Sequence, residues 1–412
     1  MRFPTLVFWF FSLVLFLLPC LGFLAVKLAG WAMGFSVSCK GFLLAAAMLV
    51  AGWWMLYLYG HRVGRFQCEV RRADVAIRVP QSFEGYRIVH ISDLHLDGWI
   101  GHADLLKKRV EQINALRPDL VCFTGDLVSL SSQEIEPFVP ILKGIHARDG
   151  VVSVLGNHDY LPYARHLSPK ERQLEVERII HTQREQLGWK LLLNDHIIVT
   201  RTGESLAILG CENHSVGVHQ VVKRGNLAKT MNGTEGMTRI LLTHDPSHWR
   251  AEVVGQTDIA LTLSGHTHAM QLRILGHTPS SFLFPESDGL YEEGGQRLYV
   301  NIGLGCILPM RIGATPEITL ITLTPLRNMP DGNRNFTCKT FQSRIRRKYR
   351  IPVFPSHHPF QFFRKSISQC NLKNRKKTRI LHQYRVWERN YRDCAAKLQI
   401  KFGFCKFLCE IS

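Results

Sequence analysis

Five short polar segments carry the side chains that could do chemistry: Ser92-Asp93-Leu94-His95, Gly125-Asp126, Gly156-Asn157-His158-Asp159, His244-Asp245 and Gly265-His266-Thr267-His268. Each directly follows an apolar run of strand length, at residues 86–91, 120–124, 151–155, 240–243 and 259–263. In an extended segment residues two apart point the same way, so Asp93 with His95, and His266 with His268, can reach one cluster. Together the segments offer enough carboxylate, amide and imidazole donors for two adjacent metal ions. That mixture suits borderline ions such as manganese, iron or zinc. Crowding Asp and His at one edge without a cation would be costly to bury.

The runs that precede these segments read as buried parallel strands, which places the polar residues at the carboxyl edge of a sheet. Helical patterns at residues 102–116 and 134–145 alternate with the first strands. This is the βαβ pattern of parallel pairing with right-handed crossovers. Ser168-Pro169-Lys170-Glu171 is a capping box with Pro at the first helical position, and predicts a helix to about residue 187. That helix either crosses over on the sheet face or overhangs the polar edge as a cap. Further strands are expected at 70–79 (an edge strand), 190–193, 196–200, 205–209, 297–301 and 317–323, and further helices at 218–231 and 246–254. A four-layer α-β-β-α sandwich of two mixed sheets absorbs this list.

Asp-x-His, Gly-Asp, Gly-Asn-His-Asp, a lone His and Gly-His-x-His, in that order, resemble the signature of the calcineurin-like dimetal phosphoesterases. Gly-Asn-His-Asp alone should arise by chance about once in 10^5 positions. The resemblance covers residues 85–325, and Tyr291-Glu292-Glu293-Gly294-Gly295 and Asn301-Ile302-Gly303 look like the membrane-anchored bacterial branch. It implies two divalent cations, most simply manganese. Asp93, His95 and His268 would hold one and Asn157, His244 and His266 the other, with Asp126 as the shared bridge, one metal on each of its oxygens. It also implies that His158 meets the phosphate or protonates the leaving group, with Asp159 orienting it. Two cations about 3.5–4 Å apart lower the pKa of a water and clamp attacking and leaving oxygens. Two departures, Ser129 where the family often has Asp and Ala269-Met270 where it often has Gly-Gly, bear on substrate fit. His102, His181, His196, His214 and His277 read as structural.

No charged residue occurs at 3–26 or 41–60, and each run is long enough to cross a hydrocarbon core of about 30 Å as a helix. A cleaved signal would have a shorter apolar core. Lys27 and Lys40 lie between the runs, whereas Arg62, Arg65, Arg71 and Arg72 follow the second. This asymmetry predicts a hairpin with both ends, and the catalytic region, on the cytoplasmic side of the inner membrane. Trp53, Trp54, Tyr57 and Tyr59 suit an interfacial belt. The expected divisions are 1–60 (membrane hairpin), 61–84 (linker and edge strand), 85–325 (phosphoesterase domain) and 326–412 (tail).

The net charge is +18, yet residues 327–412 hold 21 Lys and Arg against four acids, so the rest is almost neutral. Such a tail reads as a disordered arm attracted to anionic lipid or nucleic acid, as a solvated extension, or as an anomalous carboxyl end from a shifted reading frame. Eleven cysteines without a C-x-x-C pair speak against a thiolate zinc knuckle and point to free thiols, with Cys122 a small core residue.

A membrane anchor serves an amphiphilic substrate better than a freely diffusing one. The expected reaction is therefore hydrolysis of a lipid-linked phosphodiester or pyrophosphate. The resemblance extends to membrane-bound UDP-2,3-diacylglucosamine pyrophosphatases of lipid A synthesis, which would release UMP. The alternatives are a nuclease or cyclic-nucleotide phosphodiesterase, against which stands the lack of an aromatic-basic platform near the motifs, and a scaffold that kept the fold without chemistry. No protein partner is implied. Trp99, Ile100, Leu161, Tyr163, Phe282 and Phe284 serve either as core or as an acyl-chain groove.

Overall fold

The structure, a computed structural model, describes residues 3–216 and 222–326. The basic tail lies outside the described residues, as does the start of the helix expected from residue 218. Two apolar helices, α1 (Phe3–Met33) and α2 (Lys40–Arg62), form a hairpin in which Trp9 meets Trp54 and Phe23 meets Phe42, each pair of rings 5.5 Å apart. Both are long and apolar enough to cross a membrane, and their outer faces leave large apolar side chains exposed.

Twelve strands follow: β1 (Glu69–Ile77), β2 (Arg87–Ile91), β3 (Leu120–Phe123), β4 (Val151–Ser153), β5 (Lys190–Leu191), β6 (Asp195–Arg201), β7 (Glu204–Gly210), β8 (Thr238–Leu242), β9 (Leu261–Ser264), β10 (Gly289–Glu293), β11 (Gln296–Val300) and β12 (Glu317–Pro325). One mixed sheet has the order β1-β12-β2-β3-β4-β5 and the other β10-β11-β9-β8-β7-β6. Strands β2 to β5 run parallel, as do β7, β8, β9 and β11. All the motif segments therefore leave the carboxyl ends of parallel strands, three from the first sheet and two from the second.

The two-residue period divides the apolar residues between layers. Ile88, Leu120, Cys122 and Val152 face inward against Ile240, Leu242, Leu261 and Leu263 of the second sheet. Their neighbours Val89, Ile91, Val121 and Phe123 face outward and pack on helices α3 (Ala103–Ala115), α4 (Val139–Leu142) and α5 (Pro169–His181). On the other outer face, Leu209, Leu241 and Val300 pack on Leu227 of α6 (Leu227–Met231) and on Trp249 and Val253 of a π-helical turn. The result is four layers, α-β-β-α.

Two helices are shorter than the pattern suggests. The stretch 134–145 breaks into 3-10 turns and the single α-helical turn α4, because Pro137 and Pro140 lack the N–H groups a continuous helix needs. Of the helix expected over 218–231, the described residues 222–226 are non-helical and only α6 is helical. The capping box forms as written: Ser168 Oγ accepts from Glu171 N, and Ser168 N donates to Glu171 Oε2 at 2.8 Å. Ile179 buries α5 against the sheet, so this helix is a crossover. Strand β10, one arm of a hairpin turned by Gly294-Gly295, was not among the expected strands.

Candidate metal centre

The five segments meet where the carboxyl ends of the two sheets converge. Asn301, at the end of β11, fastens one sheet to the other by donating to His90 O at 3.2 Å and Thr319 Oγ1 at 3.0 Å. Five site residues, Asp93, His95, Asp126, His266 and His268, have φ between 43° and 73°, a left-handed conformation uncommon for side-chain-bearing residues. Backbone strain of this kind persists where surrounding contacts hold it, and it clusters at functional sites. Gly265 allows a close approach: a Cβ there would stand 2.3 Å from Asp93 Oδ2.

Imidazole and carboxylate donor atoms stand close together, at separations that a shared proton or a cation between them would hold. His95 Nε2 is 3.1 Å from His268 Nε2, which is 3.2 Å from Asp93 Oδ1. Across Asp126, His244 Nε2 is 3.1 Å from Asp126 Oδ2, 3.0 Å from Asn157 Oδ1 and 3.2 Å from His266 Nδ1. A cation bonded to such atoms at about 2.1 Å holds neighbours roughly 3.0–3.4 Å apart. Asp126 Oδ2 also lies 3.7 Å from His95 Nε2, so one oxygen faces both groups. Asp126 Oδ1 accepts the backbone N–H of His158 at 2.8 Å and keeps a second lone pair.

Tautomers sharpen the fit to a cation. His244 Nδ1 lies 2.7 Å from the Thr124 carbonyl, which can only accept, so Nδ1 carries the hydrogen. The Nε2 lone pair of the neutral ring then faces the oxygens of Asp126 and Asn157, an arrangement that needs positive charge among them. Burial alone would push the His244 imidazole down, but Asp126 outweighs it and raises it to about 10. Burial likewise would raise the Asp126 and Asp93 carboxyls, but the imidazoles, led by His244 and His268 respectively, hold both well below the usual range. His95 is driven well below the ordinary value by burial and by neighbouring His158. The donor set fits two divalent cations.

His158 donates from Nδ1 to the Ser129 carbonyl at 3.0 Å, leaving Nε2 to take or give a proton. Asp159 does not reach that ring. Its carboxylate accepts from the backbone N–H groups of Asp126, Leu127, Val128 and Gly156 at 2.8–3.2 Å, which corrects the expectation that it orients His158. It fastens the two loops instead, and burial, with Asp126 close by, raises its carboxyl to about 7.

The motif reading assigned no positioning role to several residues. Asp245, adjacent to His244 in the sequence, sets Oδ2 3.8 Å from His266 Nε2. Ser129 Oγ lies 3.1 Å from His95 Nδ1, in place of the family's frequent Asp. Arg311, fully buried, places Nη2 3.0 Å from His268 Nδ1 and donates to the carbonyls of Ile302, Gly305 and Ala314. A lone Arg 43 residues from its partner leaves no sequence signal. Ala269 and Met270 adopt φ of 51° and 47°, where the family's Gly-Gly would sit without the cost of roughly 1–2 kcal/mol per residue.

Of the apolar candidates, Trp99 and Leu161 are core, Tyr163 and Phe284 are half-buried, and Ile100 and Phe282 are exposed. Phe282 belongs to an apolar lip with Met270, Ile274, Leu275 and Ile307, of which Leu275 is 94% and Phe282 78% exposed. The lip borders the centre, since Met270 follows His268 by two residues and the Phe284 ring stands 5.5 Å from that of His266. It is also stitched to the hairpin. Gln271 bonds the backbone of Ile307, Leu308 and Met310, Arg311 N donates to Gly60 O at 3.1 Å, and His61 Nδ1 donates to Pro309 O at 2.6 Å.

A family model described as calcineurin-like phosphoesterase matches residues 86–270. An uncharacterized metallophosphoesterase, YkuE, of Bacillus subtilis is 29% identical over 68% of this chain and 93% of its own length. A transmembrane protein with metallophosphoesterase domain from Danio rerio is 33% identical over 60% of this chain and 55% of its own length, so the chain spans about half of that relative. The UDP-2,3-diacylglucosamine pyrophosphatase LpxG of Chlamydia trachomatis is 28% identical over 59% of this chain and 86% of its own length.

Proposed function

Because residues 86–270 form a calcineurin-like phosphoesterase domain, which makes the chain a phosphoester hydrolase, we propose that it cleaves a lipid-linked phosphodiester or pyrophosphate at a bilayer surface. UDP-2,3-diacylglucosamine, yielding UMP and the acylated sugar 1-phosphate, is the specific substrate this reading favours. The observation that carries it is the exposed apolar lip, set between the metal centre and the end of α2. An amphiphile would bring its chains along such a lip and its phosphate to the centre. The charge asymmetry around the hairpin favours the cytoplasmic face of the inner membrane.

In this reading Asp93, His95 and His268 hold one cation, Asn157, His244 and His266 the other, and Asp126 is shared. Manganese is the favoured ion. Bound there, the two cations supply Lewis acidity that lowers the pKa of a water and offsets phosphoryl charge. The protein's own groups do the positioning: the Thr124 carbonyl fixes His244, the Asp245 carboxylate stands 3.8 Å from His266 Nε2, and the Ser129 carbonyl anchors His158 through Nδ1. His158 Nε2, when protonated, donates to a phosphoryl or leaving oxygen. Similarity to LpxG and to the transmembrane relative supports the lipid assignment.

The test uses full-length protein in detergent or liposomes, with Mn2+, on the nucleotide lipid and on bis(p-nitrophenyl) phosphate. D126N should abolish turnover of both. Each lip side chain is worth up to about 2 kcal/mol when buried. If half of that is realised in lipid, L275D/F282D should lower kcat/KM for the lipid relative to the soluble diester by about 30-fold. An unchanged ratio would reject the lipid assignment, and undiminished D126N turnover would reject the mechanism.

A further inference from the structure

Away from the five motifs, the fold brings together His214, on the loop after β7, with His248 and Glu252 of the helical segment after β8. One donor atom from each lies within 4.8 Å of the other two. Among the described residues this is the only such group that shares no member with the centre above. The two imidazoles stack, with ring centres 4.4 Å apart and planes 12° from parallel. Their outer nitrogens both face the glutamate. His214 Nε2 lies 3.3 Å from Glu252 Oε1, and His248 Nε2 lies 3.2 Å from Oε2.

The tautomer of His214 decides how this contact is read. Its Nδ1 lies 3.2 Å from the Gly225 carbonyl, which can only accept, so Nδ1 carries the hydrogen and Nε2 of the neutral ring is bare. That nitrogen is buried, in a residue only 3% exposed, and makes no hydrogen bond. A lone pair set against a carboxylate oxygen at such a distance is repulsive unless a cation stands between them. A proton would satisfy the His214–Glu252 contact alone, at the cost of a buried imidazolium stacked on a second imidazole. One metal ion would satisfy all three side chains.

The surroundings have the form of a metal site's support. Each ring is held from behind at Nδ1, His214 by the Gly225 carbonyl and His248 by Thr243 Oγ1 at 2.9 Å. The glutamate side chain is 39% exposed, which leaves an entry path and room for a water as fourth ligand. We propose that His214, His248 and Glu252 bind one divalent cation of the zinc class, distinct from the pair at the phosphoesterase centre. Two imidazoles and one carboxylate suit that class. The ion joins the loop after β7 to the segment that begins at His244. There Val216 N already donates to Ser247 Oγ at 3.0 Å, and Asp245 reaches His266. It thus stiffens the backbone that positions two residues of the centre.

The experiment strips full-length protein in detergent with a chelator, reloads it with Zn2+ or Co2+, removes free metal, and counts metal per chain by mass spectrometry. E252Q and H214Q should each hold one equivalent less than wild type, and the visible bands of the cobalt form should lose one component. The count does not depend on phosphoesterase activity, and D126N, which alters the other centre, should retain the equivalent that E252Q loses. Should H214Q fail to fold, E252Q, altered at a partly exposed carboxylate, still decides. Wild-type metal content and an unchanged cobalt spectrum in E252Q would overturn the proposal, leaving a hydrogen-bonded His-Glu cluster.

Discussion

Replacing Gly156 by alanine tests whether the centre depends on a fixed position of Asp126. An added Cβ would stand 2.2 Å from Asp126 Oδ1, 2.8 Å from its Cγ and 2.5 Å from its backbone N. Ordinary carbon–oxygen contact is roughly 3.2–3.4 Å, so the carboxylate must retreat by about 1 Å. Its backbone cannot follow easily, because Asp126 N is held at 2.9 Å by Asp159 Oδ2, which also holds Gly156 N at 2.9 Å. A 1 Å misplacement of a reacting group costs about 100-fold, or about 2.7 kcal/mol. Mn2+-dependent hydrolysis of bis(p-nitrophenyl) phosphate by G156A should therefore show kcat/KM lowered about 100-fold, with bound metal reduced and circular dichroism retained. G41A, at an α2 position where a Cβ meets nothing within 4 Å, is the neutral control. Turnover by G156A within threefold of wild type, at wild-type metal content, would show that Asp126 yields freely and refute the shared-carboxylate reading.

Arg311 and Glu317 give two further tests. R311M leaves the carbonyls of Ile302, Gly305 and Ala314 without a donor and so loosens the loop packed behind His268, and Mn2+ titration followed by electron paramagnetic resonance should show one of the two sites weakened about 10-fold. R311K, which lacks the planar fork, should recover only part of this, whereas equal weakening at both sites would contradict a local role. Glu317 is fully buried, and burial, outweighing Arg71, raises its carboxyl from 4.5 to about 7. The folded protein thus keeps a proton that the unfolded chain releases, and this stabilisation is complete below about pH 4.5 and lost as pH rises through about 7. It amounts to about 3 kcal/mol at 1.36 kcal/mol per unit. Thermal unfolding of E317Q should show that pH slope flattened, and an unaltered slope would remove Glu317 as its source.

The site was more legible in the sequence than its supports because short-range pattern and long-range contact are written differently. Asp93, His95, Asn157, His266 and His268 sit beside strand signals within a few residues, so their convergence followed once the strands were taken as parallel. Arg311 reaches His268 from a loop whose residues have no period, and only the folded path of residues 302–314 brings it there. Asp159 shows the opposite limit. It stands in the most specific tetrapeptide of the chain, yet its partners are backbone amides, and backbone N–H groups leave no trace in residue identity. The helix expected over 134–145 overweighted apolar spacing against Pro137 and Pro140, whose missing N–H groups prevail locally.

The hairpin and the centre meet through one short stretch of backbone. Gly60 O accepts from Arg311 N at 3.1 Å, and a Cβ on Gly64 would stand 2.1 Å from Arg311 O, so the end of α2 packs directly on this residue. The side chain of Arg311 then turns inward to His268, while Gln271, three residues beyond His268, bonds the same loop at Leu308 and Met310. A span joined only by a loose linker would leave the catalytic edge free to rotate against the bilayer. Here the contacts at Gly60, His61 and Gly64 fix the direction in which the chain leaves α2, and the lip of Met270, Leu275 and Phe282 lies on the same stitched loops. The end of α2, the lip and the centre are therefore set in register by the fold.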